Sequence, residues 1–461
     1  MPKPADHGPS EPDAFAAKVR AVLDGWASRH APPRVTVAFS GGLDSTVLLA
    51  TLCRIQLPGR IRAAHAHHAL HPPSAEWAEH CARVAGDHGV ELVGVRVAVD
   101  RESGEGLEAA AREARYGALR DLLVPGEWLL TAHHADDQLE TVLLRMLRGT
   151  GIRGLRGIIG FGQLGPGWLG RPLLGFTREE LRAEADARGL TWIDDPSNLE
   201  PRHDRNYLRL RVLPALRERW PAVAQQAERL AEQGSEAEQL LEAVAAEDAR
   251  ALAAPWHVPR ATLAALDQAR QRNLLRHLLR EMGLDTPSAR KLDELRRALL
   301  DSHAESRARV RWPSGEGRVY REALHLLAPL PQASPSGFRA QLAAGEVWEG
   351  REGRLALEPA RDADGLPQSM VERGLTLRFR SGGERFRPRG RDHHHSLKHL
   401  FQESGVVPWM RDHVPLLDRG DQRAATGDLG TSADVDAAPA SEPRWRVRWT
   451  EHPAALAPEP R

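Results

Sequence analysis

The sequence predicts an α/β protein in which a doubly wound parallel sheet is followed by a helical domain and a small α+β C-terminal domain. Strand and helix patterns alternate at short intervals between residues 13 and 148, which is typical of a parallel sheet with helices on both faces. A glycine-rich turn joins the first strand to a helix, at the end of the sheet where ligands bind. From residue 212 to about residue 300, Leu, Ala, Glu and Arg recur at helical spacing.

The first domain is predicted one element at a time. Residues 13–31 form an alanine-rich amphipathic helix, and residues 34–39 are apolar and β-branched, as a strand covered on both faces should be. Ser74 is a typical N-cap for one of the later helices. Further strands are expected at 60–68, 90–99 and 127–132, and further helices at 45–53, 74–89, 106–123 and 135–148.

The rest of the chain divides into less regular regions. A helix is predicted at 177–188 and a turn at 192–198, and the proline- and serine-rich segment 328–337 is typical of a linker. Residues 421–442 contain few bulky apolar side chains, so we expect a mobile loop there. The segment from 212 to about 300 is predicted to be an all-helical unit. The predicted domains are 1–215 with the sheet, a helical domain at 216–327, a linker with a short β segment at 328–365, and the α+β domain at 366–461.

The stretch from Val37 to Ser45 is the most informative in the chain, because a buried strand runs through a glycine turn into a helix. Gly41 and Gly42 lack the side chains that would keep a phosphate away from backbone N–H groups at the helix N-terminus. The hydroxyl groups of Ser40 and Ser45 add donors. Asp44 could hold a phosphate-bound Mg²⁺ or orient the loop. We therefore assign phosphate binding to the whole turn: Ser40, Gly41, Gly42, Leu43, Asp44 and Ser45.

The turn is not a Walker A loop, since no Gly-Lys-Ser/Thr follows it. It is not a GxGxxG turn either, because its two glycines are adjacent. Ser40-Gly-Gly-Leu-Asp-Ser45 instead resembles the pyrophosphate loop of the N-type ATP pyrophosphatases, which cleave ATP between its α and β phosphates. The alternative is an ordinary turn between a strand and a helix, because glycine-serine turns are common. The strand, the hexapeptide and the helix occur together near the N-terminus, which favours nucleotide binding.

Composition excludes several classes of protein. A chain of 461 residues can form two to four domains, and neither a run of about 18 apolar residues nor the layout of a secretory signal is present, which predicts a cytoplasmic protein without membrane contact. The only cysteines, Cys53 and Cys81, exclude a disulfide framework, a cysteine-based zinc site and a three-cysteine iron–sulfur site. Lys and Arg together number 63, as do Asp and Glu, so nucleic-acid binding must be judged from local charge.

A second group of chemically capable residues follows the strand that ends at Ala132. On a helix, His133, Asp137 and Glu140 would share one face, since they are four and three residues apart. Asp136 could simply cap the helix, and the acids could simply be solvated. Because the helix starts where the phosphate loop also lies, we interpret the histidine and the two carboxylates as functional.

These motifs, taken in order, resemble the tRNA(Ile)-lysidine synthetase family. The resemblance covers the first 215 residues and a segment near the C-terminus. The matching segments are Ser40–Ser45, Ala111-Arg-Glu-Ala-Arg-Tyr116, Ala132-His-His-Ala-Asp-Asp-Gln-Leu-Glu-Thr141, Arg148-Gly-Thr-Gly-Ile-Arg-Gly-Leu155, Arg171-Pro-Leu-Leu174, Asp195-Pro-Ser-Asn198 with Arg205-Asn206, Leu397-Lys-His-Leu-Phe401, Val407-Pro-Trp-Met-Arg411 and Val414-Pro-Leu-Leu417. One departure occurs where the family has His-Val-Asn-His-Gly-Leu, because His67 and Ala69 replace the Asn and the Gly.

The resemblance implies a Rossmann-like PP-loop ATPase domain followed by two tRNA-binding domains. It also implies that ATP, Mg²⁺ and L-lysine convert the wobble cytidine of a tRNA(Ile) with a CAU anticodon into lysidine. In this reaction O2 of the cytidine is adenylated, pyrophosphate is released, and the ε-amine of lysine displaces AMP from C2. A homodimer remains open.

Residue roles follow from the resemblance together with the chemistry of an amine. A lysine amine has an ordinary pKa near 10.4, so a carboxylate must bind its cation and accept its proton. We assign Asp137 as the base or a cytidine contact and Glu140 as a lysine contact, and the two roles could be exchanged. His133 is placed near the phosphates or the adenylated base. Three arginines are candidate contacts for tRNA or phosphate, with a structural ion pair as the alternative for the last two: Arg112, Arg115 and Arg205.

The C-terminal domain carries a basic tract, which we interpret as a contact for the tRNA backbone, although such a tract can also be a solvated face. Its cations include Arg378, Arg380, Arg385, Arg387, Arg389, Arg391 and Lys398. The neighbouring His393-His-His395 invites a zinc site, but adjacent residues on a strand point to opposite faces, so no metal is fixed by the sequence.

The alternatives are another enzyme with a pyrophosphate loop and a protein that binds tRNA or senses a nucleotide without catalysing a reaction. An amide-forming synthetase that uses glutamine would need an amidotransferase half, which is not apparent in the sequence. A tRNA thiolase has the same type of loop but generally carries Cys-x-x-Cys pairs, and this sequence has none. A tRNA-binding protein with a decayed active site would be expected to lose its carboxylates. Asp44, Asp137 and Glu140 are all retained.

Overall fold

The computed structural model describes residues 14–55, 57, 59–67, 74–97, 107–194, 204–301, 307–335, 337–360, 365–435 and 442–455. The chain divides into two compact units, residues 1–239 and residues 240–461. The departures at His67 and Ala69 and the segment Asp195–Asn198 concern side chains and residues outside the described parts of the chain.

The first unit is an α/β domain. Its helices are α1 (Ala14–Ala27), α2 (Leu43–Ile55), α3 (Ser74–Asp87), α4 (Leu107–Asp121), α5 (Ala135–Leu147), α6 (Ile152–Leu155), α7 (Arg178–Ala187), α8 (Asp204–Tyr207), α9 (Leu213–Arg219) and the start of α10 (Val223–Ala249). Its strands are β1 (Arg34–Ala38), β2 (Arg60–His67), β3 (Glu91–Arg96), β4 (Trp128–Leu130), β5 (Phe161–Leu164) and β6 (Gly167–Gly170). A π-helical turn, Leu208–Val212, joins α8 to α9.

The six strands form one sheet in the order β3-β2-β1-β4-β6-β5, which is parallel except for β5. Val37 of β1 lies beside Ala63 of β2 and Leu130 of β4. The doubly wound sheet predicted from the sequence is confirmed. Because β1 and β4 are neighbours and run in the same direction, the segments after Ala38 and after Leu130 meet at one edge of the sheet.

The sheet is held by a core that explains the apolar pattern of α2. The core is formed by α1, α2, α7 and β1, and Val47, Leu48, Leu49 and Leu52 of α2 are completely buried in it. A helix packed on several sides has little freedom to shift. The start of α2, where the phosphate loop ends, is therefore fixed relative to the strands.

The second unit begins with the rest of α10 and combines helices with small sheets. Its helices are α11 (Arg260–Ala264), α12 (Gln268–Glu281), α13 (Ala289–Leu300), α14 (Gln368–Val371) and α15 (Leu397–Glu403). Its strands are β7 (His257–Pro259), β8 (Arg309–Trp312), β9 (Gly315–Tyr320), β10 (Ala323–Leu327), β11 (Ala340–Leu342), β12 (Val347–Gly350), β13 (Gly353–Ala360), β14 (Leu366–Pro367), β15 (Leu375–Arg378), β16 (Arg385–Phe386), β17 (His395–Ser396), β18 (Leu416–Arg419), β19 (Gln422–Thr426), β20 (Gly430–Thr431) and β21 (Arg444–Thr450).

The unit from 212 to about 300, predicted to be all-helical, contains the short strand β7, and the helical domain predicted for 216–327 also contains β8, β9 and β10. Strands β7, β10, β9 and β8 form a four-stranded sheet, whose pairs are antiparallel. Val319 and Leu324 pack against Leu278 of α12 and Leu295 of α13 in one core. The strands were missed because each has only three to six residues, which is too short for a clear period of two.

Two further expectations for the second unit change. Within 421–435, which was predicted to be mobile, β19 and β20 pair with each other and β19 pairs with β18, because the small Ala424 and Ala425 are fully buried against the sheet. In the predicted linker 328–365, β11 pairs with β15 and β13 pairs with β21. The segment therefore contributes strands to the C-terminal sheets, while the domain boundaries at 215, 327 and 365 remain predictions.

Candidate active site

The loop Ser40–Ser45 is folded by its own hydroxyl groups. The Ser40 N–H donates to Ser45 Oγ at 3.3 Å, and the two hydroxyl oxygens of Ser40 and Ser45 are 3.1 Å apart. The Ser45 hydroxyl also donates to the carbonyl oxygen of Gly42 at 3.1 Å. The Ile193 N–H donates to the carbonyl oxygen of Gly41 at 2.9 Å and ties the loop to the segment after α7. These hydrogen bonds hold the loop in one conformation.

Glycine is required at position 41 for two reasons. Its φ is +78°, a left-handed conformation that other residues rarely adopt. In addition, a Cβ atom there would lie 2.7 Å from the sulfur of Cys81. Cys81 is completely buried, and burial raises the pKa of its thiol to about 11, so it remains protonated and serves as packing behind the loop.

Asp44 lies in the first turn of α2 and has an unsatisfied oxygen. Its Oδ2 is 3.7 Å from Nε2 of His134, whereas its buried Oδ1 has no hydrogen-bond partner among the described residues. Burial raises the pKa of this carboxyl, and the positive field of His134 opposes that shift. A carboxylate oxygen with no partner beside a phosphate loop fits a Mg²⁺ ion bound to ATP. No group of three His, Cys, Asp or Glu in the described chain could hold a metal, so the remaining ligands would come from phosphate and water.

The loop after β4 brings His134 between two carboxylates. The Thr131 N–H donates to the carbonyl oxygen of Gly170 at 2.9 Å, and α5 begins only at Ala135. Nε2 of His134 then lies 3.7 Å from Asp44 and 3.5 Å from Oδ2 of Asp137. The contacts therefore run from the phosphate loop through His134 to the start of α5.

His133 precedes the helix, so the prediction that it shares a helical face with Asp137 and Glu140 is wrong. Its Nδ1 is 2.9 Å from the Thr131 hydroxyl oxygen. Burial lowers the pKa of His133 to about 3. The negative charge of Asp137 opposes this shift, and the positive charges of nearby arginines add to it. The ring is neutral at physiological pH, and it can act as a hydrogen-bonding partner but not as a cation.

Asp137 and Glu140 are saturated by two arginines that follow in the chain. Arg205 donates to Glu140 at 2.7 Å and to Asp137 at 3.0 Å. Arg209 donates to the two carboxylate oxygens of Glu140 at 2.7 and 3.1 Å and to Asp137 at 3.3 Å. Burial alone would raise the pKa of Asp137, but the neighbouring His134 and the two guanidinium groups hold it at about 2. Arg205 therefore forms an ion pair, which was one of its two alternatives. Its partners are the candidate catalytic acids, so the ion pair also keeps Arg205 close to the candidate site.

Asp136 has a different role from its neighbour. Its Oδ2 accepts a hydrogen bond at 2.7 Å from the N–H of Arg178 at the start of α7, and its other oxygen pairs with Arg217 of α9. The helix-capping contact comes from Asp137, whose Oδ2 accepts from the His134 N–H at 3.1 Å. Asp136 therefore joins helices, and it does not cap α5 as the sequence suggested.

Arg112 and Arg115 belong to a cluster of cations around Tyr116. Their guanidinium carbons lie 5.2 and 5.9 Å from the centre of the Tyr116 ring, and Tyr116 and Arg112 are both among the groups that influence the pKa of Arg171. No carboxylate lies within ion-pair distance of Arg115 in the described chain, and the buried Nε of Arg171 has no hydrogen-bond partner there. Burial lowers the pKa of both Arg115 and Arg171. Such a cluster is suited to receive an anion.

The basic tract of the C-terminal domain is largely neutralised within the protein. Arg387 donates to Asp434 at 2.8 Å, and Arg385 donates to the carbonyl oxygen of His394 at 2.8 Å. Other pairs join Arg378 to Asp418 and Glu384, Arg380 to Glu384 and Asp412, and Arg391 to Glu403. Arg385 and Lys398 are exposed, Arg387 and Arg389 are half-buried, and the tract is thus a weaker phosphate surface than its sequence suggests.

Sequence reasoning missed three residues that the structure brings to the site: His134, Arg171 and Arg209. His134 could have been considered from the sequence, because it follows His133 directly. The four-residue spacing to Asp137 favoured His133 instead. Arg171 begins the matching segment Arg171–Leu174, and Arg209 lies shortly after the matching Arg205-Asn206. Arg171 and Arg209 interact with residues that are 55 to 72 positions away, and such interactions cannot be recognised from local patterns.

The parallel sheet, the glycine loop and the carboxylates beside it define an enzyme of the PP-loop ATP-pyrophosphatase class. A family model described as a PP-loop domain matches residues 14–216, and models described as the TilS substrate binding domain and the TilS substrate C-terminal domain match residues 259–325 and 375–449. The chain belongs to the tRNA(Ile)-lysidine synthase family.

Full-length relatives carry this assignment. The chain is 43% identical over 430 residues to the tRNA(Ile)-lysidine synthase of Alkalilimnicola ehrlichii, with 90% of this chain and 93% of the relative covered. It is 38% identical over 440 residues to that of Methylococcus capsulatus, with 94% and 100% covered. Across the described parts of the chain, the helices are too short or too polar to cross a membrane.

Proposed function

We propose that this enzyme joins L-lysine to C2 of the wobble cytidine in a tRNA(Ile) with a CAU anticodon, and that it converts ATP to AMP and pyrophosphate. The observation that supports the proposal is a series of contacts from Asp44 through His134 to Asp137, which shares Arg205 with Glu140. In our proposal the loop binds the phosphates of ATP and the two carboxylates bind the amine. The relatives named for lysidine synthesis cover nearly the whole chain. The test is formation of a lysine adduct on that cytidine.

The first step is adenylation of the cytidine. O2 of the base forms a bond to the α-phosphorus, the bond from that phosphorus to the β-phosphate oxygen breaks, and the electron pair leaves with pyrophosphate. The backbone of Gly41 and Gly42 and the hydroxyl groups of Ser40 and Ser45 would hold the phosphates. Asp44 would hold the Mg²⁺ that accompanies ATP, an ion that neutralises phosphate charge.

The second step transfers lysine. The nitrogen of the ε-amine forms a bond to C2, the bond from C2 to O2 breaks, and O2 leaves as part of AMP. Asp137 and Glu140 would bind the arriving ammonium group, and one of them would accept its proton. Asp137 is ionised at every physiological pH, since its pKa is about 2, and it is suited to binding the cation.

The guanidinium cluster of Arg112, Arg115 and Arg171 would hold a phosphate of the substrate near His133. The field of Arg171 and Arg112 reaches His133, and the same ring is close to Asp137 and Arg205. A nucleotide backbone held by this cluster would therefore lie beside the carboxylates. We place the reaction in the cytoplasm, where tRNA and ATP are both available, and leave a homodimer as a prediction.

The alternative functions are less well supported. A thiolase with paired cysteines would need more sulfur than Cys53 and Cys81, which are 28 positions apart and not in a Cys-x-x-Cys pair. A decayed site would not be expected to keep Asp137 and Glu140 buried, ionisable and beside the phosphate loop.

The C-terminal tract gives a prediction about salt. Replacing the exposed Arg385 and Lys398 together by Gln should weaken tRNA binding and reduce the slope of log affinity against log salt by roughly one to two. A filter-binding titration at several salt concentrations measures this slope. The matched control is Arg387→Gln, because that guanidinium is already paired with Asp434. An unchanged slope in the double variant would mean that the tract is a solvated face.

A further inference from the structure

The two carboxylates proposed to receive lysine are already occupied by protein cations. Arg205 and Arg209 between them make five hydrogen bonds to Asp137 and Glu140, at 2.7 to 3.3 Å. Glu140 is completely buried and Asp137 is 9% exposed. Two negative and two positive charges therefore balance in a place with little water.

An arriving lysine disturbs this balance. Its ammonium group would bring a third positive charge to two carboxylates, and an uncompensated charge in a buried site is costly. The proton transfer adds a second difficulty, because a carboxylate whose pKa is about 2 is a very weak base. Both difficulties are removed if one guanidinium group moves away when lysine enters.

Arg209 is better placed to move than Arg205. It lies on the π-helical turn Leu208–Val212, and single π-turns of this kind are frequent at functional sites. The acids that Arg209 binds lie close to the phosphate loop, because Nε2 of His134 is 3.5 Å from Asp137 and 3.7 Å from Asp44. Arg209 also holds Asp137 at a longer distance than Arg205 does, 3.3 Å against 3.0 Å. A guanidinium group that leaves Asp137 therefore starts beside the phosphate loop.

We propose that Arg209 is a catalytic residue with two positions, bound to Asp137 and Glu140 in the free enzyme and to the phosphate of the departing AMP once lysine has taken the carboxylates. The proposal rests on the proposed function. As the bond between C2 and O2 breaks, negative charge grows on the AMP phosphate, and the guanidinium group stabilises it with charged hydrogen bonds. Nothing is transferred to Arg209, and the amine proton passes to Asp137 or Glu140.

This arrangement couples the two substrates. Before lysine binds, Arg209 is held away from the adenylate, so the departure of AMP is not assisted and the reactive intermediate is protected from attack by water. When the ammonium group displaces Arg209, the same event frees the base and supplies the cation for the leaving group. The specificity would follow from charge, since a neutral nucleophile cannot displace the guanidinium.

The test compares Arg209→Gln with the matched control Arg211→Gln, whose arginine is exposed on the same π-helical turn. Equilibrium dialysis with labelled lysine should show roughly 5-fold tighter binding to Arg209→Gln, because no internal cation competes for the site. Single-turnover conversion of adenylated tRNA to lysidine, at saturating lysine, should be slowed roughly 100-fold. Release of pyrophosphate in the first step should be slowed much less than lysine transfer, because Arg209 acts on the leaving group of the second step. Arg211→Gln should match the wild type in all three measurements.

The outcomes separate this proposal from the proposed function. Failure of the wild type to form lysidine would remove the proposed function, whereas the dialysis still reports whether Arg209 competes with lysine. Lysine binding that is unchanged or weaker in Arg209→Gln would overturn the two-position proposal and leave Arg209 as a structural ion pair. Slowing of pyrophosphate release and lysine transfer by the same factor would overturn its specific role in AMP departure. Arg209→Lys provides a second variant that keeps the charge should Arg209→Gln be unstable.

Discussion

Asp137→Asn is expected to slow lysine transfer by roughly 10³-fold while leaving the affinity for tRNA within about a factor of two of the wild type. Asn keeps the shape of the side chain and an oxygen that can accept from the His134 N–H, but it cannot compensate an ammonium charge or take up a proton. The measurement is single-turnover formation of lysidine, together with a tRNA-binding titration. Asp204→Asn is the matched control, because Asp204 is exposed and forms a surface ion pair with Arg148 at 3.3 Å.

A different pattern would assign Asp137 a structural role. Loss of tRNA binding together with a lowered thermal midpoint would mean that the carboxylate mainly holds Arg205 and Arg209 in place. The midpoint should be compared at two pH values. The pKa of Asp137 is lowered in the folded state, so the stability it contributes is present above the ordinary aspartate pKa and is lost as pH falls towards about 2.

Asp44→Asn is expected to slow the first step, so that pyrophosphate is released roughly 10²- to 10³-fold more slowly. The variant removes the charge that would hold the Mg²⁺ accompanying ATP, yet it preserves the size of a side chain at the start of α2. Pyrophosphate release with a CAU tRNA measures the effect. The same variant is expected to be more stable than the wild type in the absence of ATP at neutral pH.

The expected gain in stability follows from the sign of the pKa shift. The pKa of Asp44 is raised by burial in the folded protein, so folding favours its protonated form. Protonated Asp44 therefore contributes to the free energy of unfolding at low pH, and this contribution is lost as pH rises through the pKa of the folded state. At neutral pH the ionised carboxylate destabilises the folded protein. A thermal midpoint for Asp44→Asn below that of the wild type would show that the ionised carboxylate stabilises the fold. Normal pyrophosphate release would remove Asp44 from the site.

The sequence was sufficient to predict features that depend on neighbouring residues. The strand at 34–39, the loop Ser40–Ser45 and the helix after it are recognisable because hydrophobic period and glycine placement act over a few positions. The closeness of the loop to the segment after Leu130 was also predictable, because ligands gather at the carboxyl ends of parallel strands.

Features that depend on distant contacts could not be predicted in this way. Arg205 and Arg209 meet Asp137 and Glu140 across 65 to 72 positions of sequence, and nothing local marks which of the many arginines will do so. The same limit applies to charge. The tract around Arg385 is strongly basic in sequence, but carboxylates such as Asp434 and Asp418 come from other strands and neutralise much of it.

The helix predicted at 135–148 begins at Ala135 as predicted, but the interpretation of His133 treated that residue as part of the helix. A helix that included residue 133 would place His133 over Asp137 and Glu140, whereas the observed helix begins at Ala135 and leaves His134 between Asp44 and Asp137. β4 ends at Leu130, Thr131 bonds to Gly170, and His134 is extended, with φ −127° and ψ 179°. The positions of His133 and His134 are therefore set outside the helix, where helical spacing does not apply.

The most direct measurement is mass spectrometry of a CAU-anticodon tRNA(Ile) transcript after incubation with the enzyme, ATP, Mg²⁺ and isotopically labelled L-lysine. Nuclease digestion should give one wobble nucleotide that carries the lysine label, and the adduct should be absent without ATP or with a transcript whose wobble base is uridine. A folded transcript that acquires no labelled lysine, although ATP and Mg²⁺ are present, would contradict the proposed function.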